Sequence, residues 1–379
     1  MKILVTGAQG FIGSNLVRRL MNSGYDDILE YTIDNSRQDL EGYCGRADIV
    51  FHLAGVNRPK DESEFFTGNS DLTADLVACL EKAGNKCPVI ITSSTQAGSD
   101  DPANKYADSK RRAEGALFDH GQKTKAPVII YRLPNVFGKW SRPNYNSAIA
   151  TFCYNTAHSL PIKVNDPSHE MDLVYIDDVV AELIEDMEIM KDGGSVEGAG
   201  RPYTSPRCPI HHTTLGFIAD TITGFPAIRK SLEVPDLSDP LVSKLYSTYL
   251  SFLPEDGFSY KLKMNKDERG SFTEFIRTAD RGQVSVNITR PGITKGNHWH
   301  DSKNEKFLVV KGRGLIRFRK VGEEKVIDYH VSGEDLTVVD IPTGYVHCII
   351  NEGEDELVTV MWASEAFDPA HPDTYYEQV

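Results

Sequence analysis

The first thirteen residues, MKILVTGAQGFIG, constrain this chain more than any other stretch. Ile3, Leu4 and Val5 form an apolar run of the kind that fills a buried parallel strand. Gly7 to Gly13 then lead into a helical pattern carrying Asn15, Leu16, Val17 and Leu20. In this reading Gly7 permits a tight turn, Gly10 lets a pyrophosphate approach the backbone, and Gly13 allows the helix to pack closely on the strand. Phosphates would sit at the helix N-terminus, where free N–H groups and the macrodipole favour negative charge. The glycines are spaced GxxGxxG, one residue wider than the common dinucleotide fingerprint. With a strand before it and a helix after it, the pattern predicts a dinucleotide site on Gly7, Gly10, Phe11, Ile12 and Gly13.

At 379 residues the chain is long for a single core, so two domains or more are expected. An apolar fraction of 40% and a charged fraction of 25% suit a globular protein, and no apolar run approaches the ~20 residues of a membrane span. No basic stretch with a cleavage site precedes the first strand, and Cys44, Cys79, Cys87, Cys153, Cys208 and Cys348 form no CxxC pair. Free thiols and a cytoplasmic location are the expectation. A formal charge of −14 argues against general nucleic-acid binding, though not against an anionic nucleotide held by a few basic residues.

Beyond the first helix, residues 28–33 read as a second strand leading to Asp34, placed to bond an adenosine ribose and favour NADH. Arg37 could instead meet the 2′-phosphate of NADPH, so both cofactors stay open. Residues 47–55 form a hydrophobic strand whose small-residue end, Leu53-Ala54-Gly55, suits a dinucleotide lying across it. A helix over 72–82 and a strand over 89–92 follow. Strands and helices alternating at this pace predict a doubly wound parallel sheet.

Reaction chemistry enters at Ser94 and at Tyr106-Ala107-Asp108-Ser109-Lys110. The spacing puts Tyr106 and Lys110 on one helix face. The ammonium is expected to lower the phenol's pKa, so that Tyr106 can pass a proton to a carbonyl oxygen that Ser94 also bonds. Following a glycine-rich turn, this stretch resembles the extended short-chain dehydrogenase/reductases, the group that includes nucleotide-sugar epimerases and reductases. The resemblance runs on through YRLPNVFG (131–138), where it maps Asn135 beside the sugar nucleotide, and through LVYIDDV (173–179), where Asp178 reads as structural. The polar and aromatic loop between them suits a uridine diphosphate, with Arg142 on phosphate, or is an ordinary surface loop. His211-His212 lacks a third partner and reads as solvated. The first domain, residues 1–250, closes on a helix over 243–253.

From residue 256 to 379 short alternating segments replace helices at roughly ten-residue intervals, the pattern of a sandwich or jelly roll. Here His298 and His300 lie two apart on a strand, with Glu305 and His347 able to arrive from neighbouring strands. Three imidazoles and a carboxylate suit a divalent first-row ion, Zn2+ above all. The spacing resembles the two cupin motifs, with Leu336 where a glycine usually opens the second. DERGSFTEF (267–275) also resembles the opening of cupin-fold 4-keto-sugar 3,5-epimerases, whose histidine base falls on His298. A metal on His298 would deny it that role and leave Lys306, Tyr345 or Tyr329 as candidates.

The fold class expected is thus an α/β, Rossmann-type domain followed by an all-β cupin (jelly-roll) domain. That pair, in that order, resembles a family of bacterial capsule and O-antigen enzymes, with KWSRPNYNSAIATFCYN, LYSTYLSFLPEDGFSY and GITKGNHWHDSKNEKFLVVKGRG as its specific segments. The resemblance implies a homodimer acting on a UDP-linked 4-keto-6-deoxy-sugar, inverted at C3 and then reduced at C4. A reductase with a structural or dimerising cupin domain is the alternative. A non-catalytic sugar-nucleotide sensor is disfavoured, because it has no need of a proton donor such as Tyr106.

Overall fold

A computed structural model describes residues 1–379. It divides into two compact units, one of residues 1–223 with 244–253, the other of 224–243 with 254–379. The sequence pattern predicts a single boundary near 250–256. Residues 224–243 go instead with the second unit because their backbone joins its sheet. Arg277 donates its N–H to the Leu232 carbonyl at 2.7 Å and accepts from Val234 at 2.9 Å. Arg229 adds a bond to the Gly257 carbonyl at 2.6 Å.

In the first unit, strands β1 (Ile3–Thr6), β2 (Ile28–Tyr31), β3 (Ile49–His52), β4 (Val89–Ser94) and β5 (Val128–Leu133) form one parallel sheet, ordered β2-β1-β3-β4-β5. Side chains alternate across it. Ile3, Val5, Phe51, Ile90 and Ile129 pack on helices α1 (Phe11–Asn22) and α6 (Ile176–Lys191). Leu4, Val50, Val89, Ile91 and Ile130 pack on α2 (Arg37–Cys44), α3 (Leu72–Ala83) and α4 (Lys105–Thr124). Burial on both faces explains why the strands read as continuous apolar runs. The order reverses between β1 and β3, the point where such sheets open a crevice at their carboxyl ends.

The unit is completed by β6 (Asn135–Phe137), α5 (Ala148–Ala157), β7 (Glu170–Tyr175), β8 (Ile210–Thr214), α7 (Leu215–Gly224, all but its last residue) and α8 (Pro240–Leu250) from Lys244 on. β6, β7 and β8 form a small separate sheet. Asp178 pairs with Lys244 of α8 at 2.6 Å. His212 pairs with Asp172 at 2.5 Å and is exposed. Before α3 the chain makes a short π-helical turn over Phe66–Asp71, which hydrophobic periodicity did not signal.

The second unit's named strands all pair antiparallel, and it has a single parallel bridge, which joins Glu233 to Arg277. Its strands are β9 (Asn265–Asp267), β10 (Gly270–Thr278), β11 (Gly282–Thr289), β12 (Thr294–Trp299), β13 (Glu305–Lys311), β14 (Arg313–Lys320), β15 (Val326–Ser332), β16 (Val338–Ile341), β17 (Tyr345–Asn351), β18 (Leu357–Ala363) and β19 (Tyr375–Tyr376). They make two sheets, ordered β16-β13-β18-β11-β10-β9 and β15-β14-β17-β12-β19. Phe307, Val309, Ile316, Phe318, Ile341, Ile349 and Leu357 fill the core between them. All six cysteines are free thiols, and no helix of the chain is long and apolar enough to cross a membrane.

Candidate active sites

The first site is a cleft of about 840 Å³ at the carboxyl end of the parallel sheet. Gly10, Phe11, Ile12 and Gly13 line it, as do Leu53, Gly55, Ser94, Tyr106, Lys110, Asn135 and Arg142. The glycine turn has steric causes. Gly7 sits at φ +67°, and a Cβ there would come within 2.7 Å of Ala54 Cα. A Cβ on Gly13 would overlap the Gly7 carbonyl oxygen and reach 2.9 Å from Ala8 Cα. Gly7 and Ala54 therefore shape the backbone rather than line the cleft. Helix α1 begins behind Gly10 with no side-chain cap and no acid in its first turn, so its N–H groups remain for a phosphate. Asp34 and Arg37 are exposed and lie outside the cleft's lining; Arg37 pairs with Asp75 at 2.9 Å.

Tyr106 enters the cleft from the first turn of α4, which Asn104 caps by accepting from the Ala107 N–H at 2.9 Å. Ser94, at the end of β4, hydrogen-bonds the phenol, and Phe65 packs 5.7 Å from its ring. Lys110 lies one turn on, buried, with Nζ 3.4 Å from the Thr92 carbonyl and 6.0 Å from the Tyr106 ring centre. The expected lowering of the phenol is not found. Burial raises the Tyr106 pKa against the lowering effect of Ser94. Lys110, with Nζ 6.0 Å from the ring centre, does not reverse it. Burial likewise pushes Lys110 down to about 8, opposed by Glu114.

Glu114 escaped the sequence reading. It accepts from Ser93 Oγ at 2.6 Å and from Arg132 Nε and Nη2 at 2.9 and 2.7 Å, forming a buried brace behind Lys110. Its signal was present in the spacing, since Tyr106, Lys110 and Glu114 recur every four residues on one helix face. Farther out, the Arg142 guanidinium lies 4.9 Å over the Tyr145 ring, a charged and aromatic pair at the cleft's edge.

The second site is a cavity of about 630 Å³ in the antiparallel unit. His298 is the next-to-last residue of β12, His300 follows that strand, Glu305 opens β13 and His347 lies on β17, so three strands and the turn after β12 bring four side chains to one point. Their ligand atoms all lie within 4.8 Å of one another. Glu305 Oε2 is 3.3 Å from Nε2 of both His300 and His347. Tetrahedral zinc with bonds of about 2.0–2.1 Å separates its ligands by about 3.3–3.4 Å, so this spacing suits the ion. His347 Nε2 is buried yet makes no hydrogen bond, an orphaned lone pair that a cation would satisfy. Burial would raise the Glu305 carboxyl, but His300 and His347 outweigh it and hold it at about 2. Burial, with the His347 and His300 rings, lowers His298 to about 4, leaving it neutral as a metal ligand requires.

Lys306, Tyr329 and Tyr345, named from the sequence as bases at the mouth, do not line this cavity. Lys306 points outward to pair with Asp340, because its neighbour Glu305 occupies the inward face of the strand. The titratable groups that do line the cavity include Glu274, Lys295, Lys303 and Tyr376. Lys295 donates to Asn287 Oδ1 at 2.7 Å and to the Ile288 carbonyl at 2.8 Å.

Fold and cleft define a Rossmann-type nucleotide-binding protein, and residues 3–189 match the NAD dependent epimerase/dehydratase family. Residues 265–375 match the polysaccharide biosynthesis C-terminal domain. The chain is 44% identical to a UDP-2-acetamido-2,6-beta-L-arabino-hexul-4-ose reductase of Pseudomonas aeruginosa, over 99% of this chain and 98% of that protein. It is 46% identical to the capsular polysaccharide assembling protein CapF of Staphylococcus aureus, whose crystal structure covers both chains fully with a TM-score of 0.91. The chain belongs to this CapF-type family of two-domain capsular polysaccharide enzymes. A UDP-glucose 4-epimerase of Thermotoga maritima, 20% identical over 66% of this chain and 98% of its own, shares the first fold with a TM-score of 0.53.

Proposed function

We propose that the chain is a bifunctional enzyme of UDP-N-acetyl-L-fucosamine and capsular polysaccharide synthesis. Its cupin (jelly-roll) domain inverts C3 of UDP-2-acetamido-2,6-dideoxy-hexos-4-ulose. Its Rossmann domain, acting as an oxidoreductase, then reduces C4 with NADPH, or NADH, to UDP-2-acetamido-2,6-dideoxy-L-talose. The observation that carries this reading is the convergence of Ser94, Tyr106 and Lys110 on the cleft floored by Gly10–Gly13.

In that cleft Gly10 to Gly13 hold the cofactor's phosphates, Leu53 to Gly55 support its length, and Asp34 or Arg37 meets its adenosine end. A bound nicotinamide supplies the hydride for C4. Ser94 and Tyr106 hold the C4 carbonyl oxygen, and Tyr106 gives it a proton as the oxygen gains charge. Burial favours the protonated phenol, which suits it to begin as the donor. Lys110 supplies the positive charge beneath that pair. Asn135 and Arg142 position the sugar nucleotide, with Arg142 toward its phosphates.

The order of steps follows from the substrate. A C4 ketone makes the C3 hydrogen acidic, because the resulting enolate spreads its charge onto oxygen; reduction removes the ketone and fixes C3. Inversion must therefore come first. In the cupin cavity His298, His300, Glu305 and His347 hold a divalent ion, zinc by their chemistry. When bound, that ion supplies either a structural clamp or, with an open coordination position, a Lewis acid for the sugar's carbonyl. Glu274, Lys295, Lys303 and Tyr376 are among the lining groups able to move the C3 proton. Four protein donors are enough to close a tetrahedral ion, which favours the clamp and keeps a reductase-only enzyme as the second reading.

The protein is expected to work in the cytoplasm as a homodimer. The separating experiment is Tyr106→Phe. It should abolish NADPH oxidation by the keto-sugar while C3 deuterium exchange continues. Loss of both activities in a folded variant contradicts the division of labour.

A further inference from the structure

The last residues of the chain close over the turn that carries a proposed metal ligand. Residues 300–304 link β12 to β13, and Asp373 reaches this turn from far along the sequence. Its carboxylate accepts the backbone N–H groups of Asp301, Ser302 and Lys303 at 3.0, 3.1 and 2.8 Å, and the Ser302 hydroxyl at 3.0 Å. Its own carbonyl oxygen lies 2.6 Å from Nδ1 of His300. A carbonyl has no hydrogen to give, so Nδ1 is the protonated nitrogen of that ring. Nε2 then faces Glu305 Oε2 across 3.3 Å. Asp373 adopts φ +36°, a strained backbone for a residue with a Cβ, which persists only where its contacts enforce it. The segment is anchored on both sides: β19 pairs with His298 and Trp299, and the Glu377 N–H donates to the Asn297 carbonyl at 3.1 Å.

We propose that Asp373 is a positioning residue of the metal centre. It fixes His300 in the tautomer and orientation that present Nε2 to the ion, so the C-terminal segment belongs to the site. This rests on the reading of His298, His300, Glu305 and His347 as metal ligands. Partners of this kind, behind a ligating histidine, change metal affinity without touching the metal.

The test uses the full chain, stripped with a chelator and titrated with zinc against a chromophoric competitor. Asp373→Ala should weaken zinc binding by roughly 10–100-fold, and Asp373→Asn, which keeps one acceptor oxygen, by less. Asp368→Ala removes a nearby exposed acid, one whose carboxylate bonds only Ala370 and His371, and should bind zinc like the parent. A role confined to the fold lowers the melting temperature of metal-free and loaded protein alike and leaves zinc affinity unmoved. Unchanged affinity in both Asp373 variants overturns the proposal, with Asp373→Asn deciding alone should the alanine variant not fold. A parent protein that takes up no zinc, matched by His300→Ala, overturns the metal reading itself.

Discussion

Lys110 shows at the scale of one residue how this fold tunes chemistry. Burial disfavours its ammonium form and lowers the pKa from 10.5 to about 8, while Glu114 pulls the other way. As pH rises through about 8, the folded protein loses that charge, and kcat/KM for reduction should fall on its alkaline side. Glu114→Gln should move this limb to lower pH. A profile flat from about pH 6 to about pH 10 contradicts the role given to Lys110. The same shift works oppositely on stability: between about 8 and 10.5 the unfolded chain binds the extra proton, so Lys110 makes folding more favourable as pH rises there. Ser94, Tyr106 and Lys110 were legible because a strand end and a four-residue helix spacing announce them. The direction of the Tyr106 shift was not, because it depends on burial beside Phe65, which no local pattern encodes.

At the scale of elements, the glycine turn and the helix behind it act as one piece. Gly13→Ala places a methyl group against the Gly7 carbonyl, with backbone rather than a flexible side chain in the way. The strain should cost about 1–3 kcal/mol and spread into the phosphate cradle. Melting temperature should drop and NADPH titrated by fluorescence should bind at least tenfold more weakly. Binding equal to the parent's would show that the cradle does not depend on this packing. Strands β12, β13 and β17 could be read ahead because His298, Glu305 and His347 fall in two compact motifs. β19 could not, since two residues carry no periodicity and their partners His298 and Trp299 lie over 70 positions away. That distance hid Asp373 and Tyr376 from the sequence reading as well.

At the scale of the whole molecule, composition and the change from helical to alternating texture marked two domains and their classes. They did not reveal that residues 224–243 return to the second unit, because the bonds that tie them there, at Arg277 and Gly257, join residues far apart in sequence. On the proposed function the two units carry chemistries that act in order on one carbonyl, inversion before reduction. This order is tested most directly by incubating enzyme and UDP-linked 4-keto-sugar in heavy water, with and without NADPH, and following C3 and C4 by NMR. Without NADPH, deuterium should enter C3 while the ketone persists; with NADPH, the alcohol should carry deuterium at an inverted C3. An alcohol that retains both its original C3 hydrogen and its original configuration would contradict the account and leave the cupin domain a scaffold for a reductase.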